Sequence, residues 1–131
     1  MIIDPIADTL TRIRNALALK YKNVEVNHSN LIQRIMQIFY NIGYVDGFKT
    51  LKRKNTKVII ISLKYDASGN SVIHGVKRVS KPSLRVYAKA NSIPIVYNGL
   101  GTSIVSTSLG LVTTYKAKQK NKGGEIICFI W

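Results

Sequence analysis

Acidic side chains are scarce in this chain. Asp4, Asp8, Glu25, Asp46, Asp66 and Glu125 face twenty Lys and Arg in 131 residues, a formal net charge of +14. Such an excess repels itself unless a polyanion lies against it. The basic residues run from Arg12 to Lys122 rather than filling one tail, which suits a domain embedded in nucleic acid. Only Glu125 follows Asp66 among the acids, so the second half has no carboxylate pair for general acid and base work. Nor is there a nucleophile beside a base, a Walker loop or a dinucleotide glycine pattern. Catalysis is therefore not expected.

Cysteine occurs once, at Cys128, which excludes an intrachain disulfide. Its apolar surroundings indicate an inert buried thiol. His28 and His74 are isolated from each other and from Cys128, so neither a metal nor any other cofactor is expected. Apolar runs such as residues 58–61 fall far short of a membrane span, and no Lys/Arg stripe faces large apolar residues as on an interfacial helix. No membrane partner or small-molecule substrate is expected. No targeting segment is expected ahead of Asp4-Pro5, so the protein should work where it is made.

Hydrophobic residues make up 46% of the chain, enough for a core rather than a disordered basic tail. Asp4 can cap a helix with Pro5 at its first position, and Ile6, Leu10, Ile13 and Leu17 recur at helical spacing. Asp8 can pair with Arg12 one turn on, leaving Thr9, Arg12 and Asn15 nearer the polar side. Residues 23–27 read as a short strand. Ser29 opens a second helix with Leu31, Ile32, Ile35, Ile38, Phe39 and Ile42 in one stripe, and Gly43 closes it. Residues 44–50 and 57–65 read as strands joined by the basic turn Lys52-Arg53-Lys54-Asn55.

The polar turn Asp66-Ala67-Ser68-Gly69-Asn70 marks a boundary. The fold class expected is α+β: two small, tightly associated lobes, an N-terminal α/β lobe over residues 1–66 and a mostly-β lobe over 71–131. In the second lobe, strands are expected at 71–79, 84–87, 102–107, 111–113 and 125–131, with one helical turn at 93–97.

Chemistry concentrates late in the chain. Ser106, Thr107 and Ser108 leave a strand and enter a turn that Gly110 completes. Such hydroxyls either bond their own backbone or meet sugars, phosphates and base edges, and the net charge tilts the reading toward RNA. The lysines at 116, 118, 120 and 122 share a face if extended and spread if helical. Tyr87 can stack on a base or sit in a core or rim.

Several motifs together resemble the ribosomal protein S8 family of bacterial type: Asp4-Pro5-Ile6-Ala7-Asp8, Thr11-Arg12-Ile13-Arg14-Asn15-Ala16, Val79-Ser80-Lys81-Pro82, Leu84-Arg85-Val86-Tyr87, Asn98-Gly99-Leu100-Gly101, Ser106-Thr107-Ser108 and Gly123-Gly124-Glu125. They run in colinear order from residue 2 to residue 131. The resemblance implies a structural constituent of the small ribosomal subunit that binds the central domain of its rRNA and supports folding and assembly. A regulatory RNA-binding protein acting off the ribosome is the alternative.

By the same resemblance, Ser106, Thr107 and Ser108 supply the central rRNA contacts, with Tyr87 and Glu125 nearby. Asp4, Thr9, Arg12 and Asn15 approach from the N-terminal lobe, and Lys81, Arg85, Gly123 and Gly124 complete the set. Neighbouring small-subunit proteins would resemble S5, S2, S12 and S17. In two places the chain departs from the family pattern. Ser83 stands where glycine is usual, and Thr113-Thr114-Tyr115-Lys116-Ala117-Lys118 replaces a helix start carrying two acids, which weakens a helix there. This drift, with abundant Ile, Lys, Asn and Tyr as in an AT-rich genome, points to a ribosome in an organelle matrix, the mitochondrion ahead, or in the bacterial cytoplasm.

Overall fold

The computed structural model describes residues 4–96 and 99–131. The chain divides into two compact units between Ile73 and His74. The 66–70 turn belongs to the first of them. Asp66 N–H donates to the Asn70 carbonyl (2.8 Å), Val72 N–H donates to the Lys64 carbonyl (3.1 Å), and Tyr65 bridges to Ser71.

In the first unit, helix α1 spans Pro5–Ala18. Asp4 caps it by accepting from Ala7 N–H at 3.3 Å, and Arg12 pairs with Asp8 at 3.0 Å. The buried face holds Ile6, Leu10, Ile13 and Ala16, and also Thr9. Thr9 thus departs from the polar side expected for it. A helix against a sheet buries a band wider than its strictest apolar positions, and residue 9 lies three after Ile6 and four before Ile13.

Strand β1 (Asn23–Asn27) leads to α2 (Asn30–Asn41), whose first turn is capped by Ser29 Oγ accepting from Ile32 N–H at 3.1 Å. Its buried residues are Ile32, Ile35, Met36 and Phe39. Leu31 and Ile42, expected in the stripe, are exposed at its two ends, and Met36 takes the place between. Gly43 closes α2 with φ +88°, and Tyr44 N–H reaches back to the Phe39 carbonyl at 2.8 Å, a Schellman end. Strands β2 (Val45–Arg53) and β3 (Thr56–Leu63) form a hairpin, and the antiparallel order is β1-β3-β2.

The second unit is a five-stranded antiparallel sheet. Strands β4 (Val76–Arg78), β6 (Thr102–Thr107), β7 (Gly110–Thr113) and β8 (Gly124–Ile130) run in the order β4-β8-β6-β7. The short β5 (Tyr87–Ala88) also pairs with β8. Three sequence expectations shift here. The strand expected over 71–79 is only three residues long, because His74 and Gly75 both donate to the Trp131 carbonyl instead of to a neighbouring strand. The strand expected over 84–87 starts at Tyr87, because Lys81 and Leu84 close a tight turn around Pro82-Ser83 with reciprocal backbone bonds of 2.9 and 3.0 Å. The expected helical turn falls earlier, as a 3-10 turn at Ala90–Ser92. Pro94 holds Ile93 extended (ψ 127°), and Tyr97 lies outside the described residues.

Helix α3 (Thr114–Gln119) forms without acids in its first turn. Thr113 Oγ1 caps it by accepting from Lys116 N–H (3.4 Å), and Ala117 is driven into the core formed by Ile93, Val105 and Ile126. Burial and a hydroxyl cap replace the missing charges. Against this core, Ser103 is fully buried, and its Oγ has no partner among the described residues. A buried unsatisfied hydroxyl costs about 1–3 kcal/mol. Ser103→Ala should therefore stabilise the second unit by about 1 kcal/mol, seen as a higher urea midpoint in Trp131 fluorescence; a lower midpoint contradicts this.

Candidate nucleic-acid interface

Register alone brings the key side chains together. Tyr87 pairs with Glu125, Glu125 with Ser106, and Ser106 with Leu111, across β5, β8, β6 and β7. Directly opposed residues share a face, so these four form one row. The next row, Ile126, Val105 and Val112, points the other way into the core. The row of Tyr87, Glu125 and Ser106 is therefore on the outer face of the sheet. Tyr87 is 69% exposed, which decides for an available ring over a core one.

Glu125 is fixed from three sides. Ser80, buried completely, donates its hydroxyl to Glu125 Oε2 and accepts Val86 N–H at 3.2 Å. Arg85 Nη1 meets the same oxygen at 3.0 Å. Arg78 lies close enough to act through its charge; its Nη1 also donates to the Ile127 carbonyl at 2.7 Å. That carbonyl sits at a β-bulge, where Ile127 has no partner across β6. Oε1 of Glu125 has no partner among the described residues. The result is a rigidly held acceptor of the kind a base amine can use.

Burial alone would raise the Glu125 pKa. The bonds from Ser80 and Arg85 and the charges of Arg85 and Arg78 outweigh it, so the pKa lies below the usual 4.5. With the folded value under the unfolded one, the stabilisation is complete above the unfolded value and is lost as pH falls through the folded one. Stability to urea should thus fall on acidification below pH 4.5 more steeply in the wild type than in Glu125→Gln. Equal slopes contradict the assignment.

The three consecutive hydroxyls do not share one face of the sheet. Ser106 is on the outer row, whereas Thr107 pairs with Gly110 one step along and faces the α3 side. Thr107 Oγ1 is consumed by the hairpin turn: it donates to the Gly110 carbonyl (2.9 Å) and accepts Leu109 N–H (3.1 Å). The self-bonded turn is present at Thr107, whereas the Ser106 hydroxyl has no side-chain partner among the described residues. Ser108 is exposed at the tip.

Gly123 and Gly124 have a structural reason of their own. A Cβ at Gly123 would lie 2.8 Å from Lys89 Cα and collide with the Ala88 carbonyl. One at Gly124 would collide with the Ser106 carbonyl, its carbon 2.8 Å away. These glycines let β8 pass between β5 and β6, which places Glu125 in the row.

Lys81 is exposed in the turn before β5, and Arg85 is half exposed while bound to Glu125. Asp4, Thr9, Arg12 and Asn15 belong to α1 and its cap in the other unit. There Asp4 is engaged in capping, Arg12 in its ion pair, and Thr9 is buried, so Asn15 alone of the four is exposed without a side-chain partner among the described residues. Ser80 and Arg78 are the residues that sequence reasoning missed. The Val79-Ser80-Lys81-Pro82 motif contained the only signal, and nothing local connects Ser80 with a carboxylate 45 positions away.

Among the described residues, no three His, Cys, Asp or Glu side chains group to hold a metal. An exposed ring, a fixed carboxylate and a hydroxyl without a partner among the described residues thus stand on one face of a highly cationic α+β protein, an arrangement that suits a nucleic-acid binder. Comparison with known proteins agrees with this class. The family described as Ribosomal protein S8 matches residues 4–131. Proteins named small ribosomal subunit protein uS8 are similar over nearly the whole length. The one from Finegoldia magna is 52% identical over 131 residues, with all of both chains covered. That from Clostridioides difficile is 45% identical over 128 residues (98% of this chain, 97% of the relative). That from Streptococcus pyogenes is 47% identical over 131 residues (100% and 99%). This chain belongs to the ribosomal protein S8 family.

Proposed function

We propose that this chain is a structural constituent of the small ribosomal subunit, binding the central domain of its rRNA mainly through the outer row of the second unit. It does no chemistry of its own. The observation that carries the reading is the register that sets the exposed Tyr87 beside the partly buried Glu125 and Ser106 on the outer sheet face. Tyr87 stacks on an unpaired base, Ser106 meets a 2′-hydroxyl or base edge, and Glu125 Oε1 accepts from a base amine. Arg85 neutralises the carboxylate that would otherwise repel phosphate. Lys81 and Ser108 lie where sugar and phosphate pass, while Gly123, Gly124 and Thr107 shape the face rather than touch RNA by side chain.

The N-terminal unit adds contacts through Asn15 and Arg12. Neighbouring proteins resembling S5, S2, S12 and S17 complete the surroundings. The relatives named above come from bacteria, so the compartment we assign is the bacterial cytoplasm, and the organelle matrix suggested by composition has no support from them.

The test is a titration of the full chain against an irregular central-domain rRNA helix and a plain duplex of equal length at one salt concentration. Preference for the irregular helix by tenfold or more is the expected result. Equal affinity would leave only phosphate attraction and favour a general RNA-binding role.

A further inference from the structure

The lysines after residue 115 found no use in the outer row. On the α3 side of the β6–β7 hairpin lies a cleft of about 190 Å³. Val112 and Ala117 are part of its wall, Leu109 stands at its lip 60% exposed, and Lys116, Lys120 and Lys122 surround it. No acidic residue lines it, and none of these three ammonium groups has an acidic partner among the described residues. Lys116 and Lys120 are one turn apart, a like-charge spacing that weakens a helix. Lys122 is brought back to the cleft by the Schellman end of α3. Asn121 takes φ +52°, and Lys122 N–H donates to the Ala117 carbonyl at 2.9 Å.

Here an apolar interior meets an acid-free cationic rim. Phosphate alone fits the rim but gains nothing from the interior, and an apolar peptide gains nothing from the rim. An unstacked base with its flanking phosphates satisfies both. The volume lies under the roughly 300 Å³ where drug-sized ligand pockets begin, so it suits one planar base.

We propose that this cleft takes a single extruded nucleobase of the bound RNA, with the adjoining phosphates on Lys116, Lys120 and Lys122. The inference rests on the RNA-binding reading above and adds a second contact, because Thr107 and Val112 in the cleft face away from the row of Ser106 and Glu125, and only Leu111 borders both. The hairpin tip thus grips RNA from both faces, one by stacking on Tyr87 and the other by insertion beside Leu109.

The experiment uses the full chain and the irregular rRNA helix with 2-aminopurine replacing its unpaired bases one at a time. Leu109→Ser should weaken binding about five- to tenfold with the salt slope unchanged, and abolish the fluorescence response of one position. Replacing Lys116, Lys120 and Lys122 with glutamine should reduce the slope of log affinity against log salt by about 2. Trp131 fluorescence checks that both variants remain folded. Wild-type affinity and intact signals in Leu109→Ser would overturn the proposal, as would an unchanged slope in the lysine variant. If the wild type shows no preference for the irregular helix, the underlying RNA reading fails instead.

Discussion

Gly124→Ala should destabilise the second unit by about 3 kcal/mol or more, a large part of a domain's total stability. The added methyl has nowhere to go. Its position collides with the Ser106 carbonyl and lies 3.2 Å from Thr107 Cα, and both neighbours are backbone of the paired strand β6. A flexible side chain could rotate aside, but a strand must move as a whole, and β8 is hydrogen-bonded to β4, β5 and β6 together. Moving β6 would also displace Val105 and Ile104, both fully buried. Urea denaturation followed by Trp131, the single tryptophan, reports on this unit. Gly47→Ala in the first unit, followed by far-ultraviolet circular dichroism, is the control for adding a methyl to a strand glycine. It has nothing within 4 Å of the new Cβ and should change stability by under about 0.5 kcal/mol. A Gly124→Ala midpoint near that of the wild type would show that β8 does not thread so closely between its neighbours.

Tyr87→Ala combined with Ser106→Ala should lower affinity for the irregular rRNA helix by about a hundredfold without loss of fold. Stacking of a base on an aromatic ring contributes about 1–3 kcal/mol, and a hydrogen bond from the hydroxyl about 1 kcal/mol. Tyr87 is mostly exposed, so its removal leaves no cavity. Neither residue carries charge, so the salt dependence should remain that of the wild type while affinity falls at every salt concentration. The pair shares the row through Glu125, so the single losses need not add. A titration in which the double variant binds within twofold of the wild type would remove the row from the interface.

Local chemistry made much of this fold legible. Asp4-Pro5 and Ser29 announced the starts of α1 and α2, Gly43 announced an end, and the Asp8–Arg12 pair followed from helical spacing. The alternation that separates Ser106 from Thr107 was also in the sequence, since neighbouring strand residues face opposite sides. Their common hydroxyl chemistry suggested a cluster that the strand period forbids. Long-range partners were not legible. Ser80 fixing Glu125, Met36 entering the core and Thr9 being buried all depend on what packs opposite, which no local pattern encodes. Helix α3 shows the same limit from the other direction. Its charges argue against it, and burial of Ala117 decides.

The central claim is that the outer face at the β6–β7 hairpin meets the rRNA. Cys128 permits a direct measurement, because burial pushes its thiol up to about 12, against a smaller opposing effect of Arg78, and leaves it unreactive at neutral pH. An iron chelate tethered through Ser108→Cys then cuts nearby RNA backbone, with His74→Cys, exposed in the same unit, as reference. Cleavage from position 108 confined to the irregular central-domain helix, and absent or displaced from position 74, is the result this account predicts. Identical cleavage from both positions, or none from 108 in a complex that still forms, would contradict it.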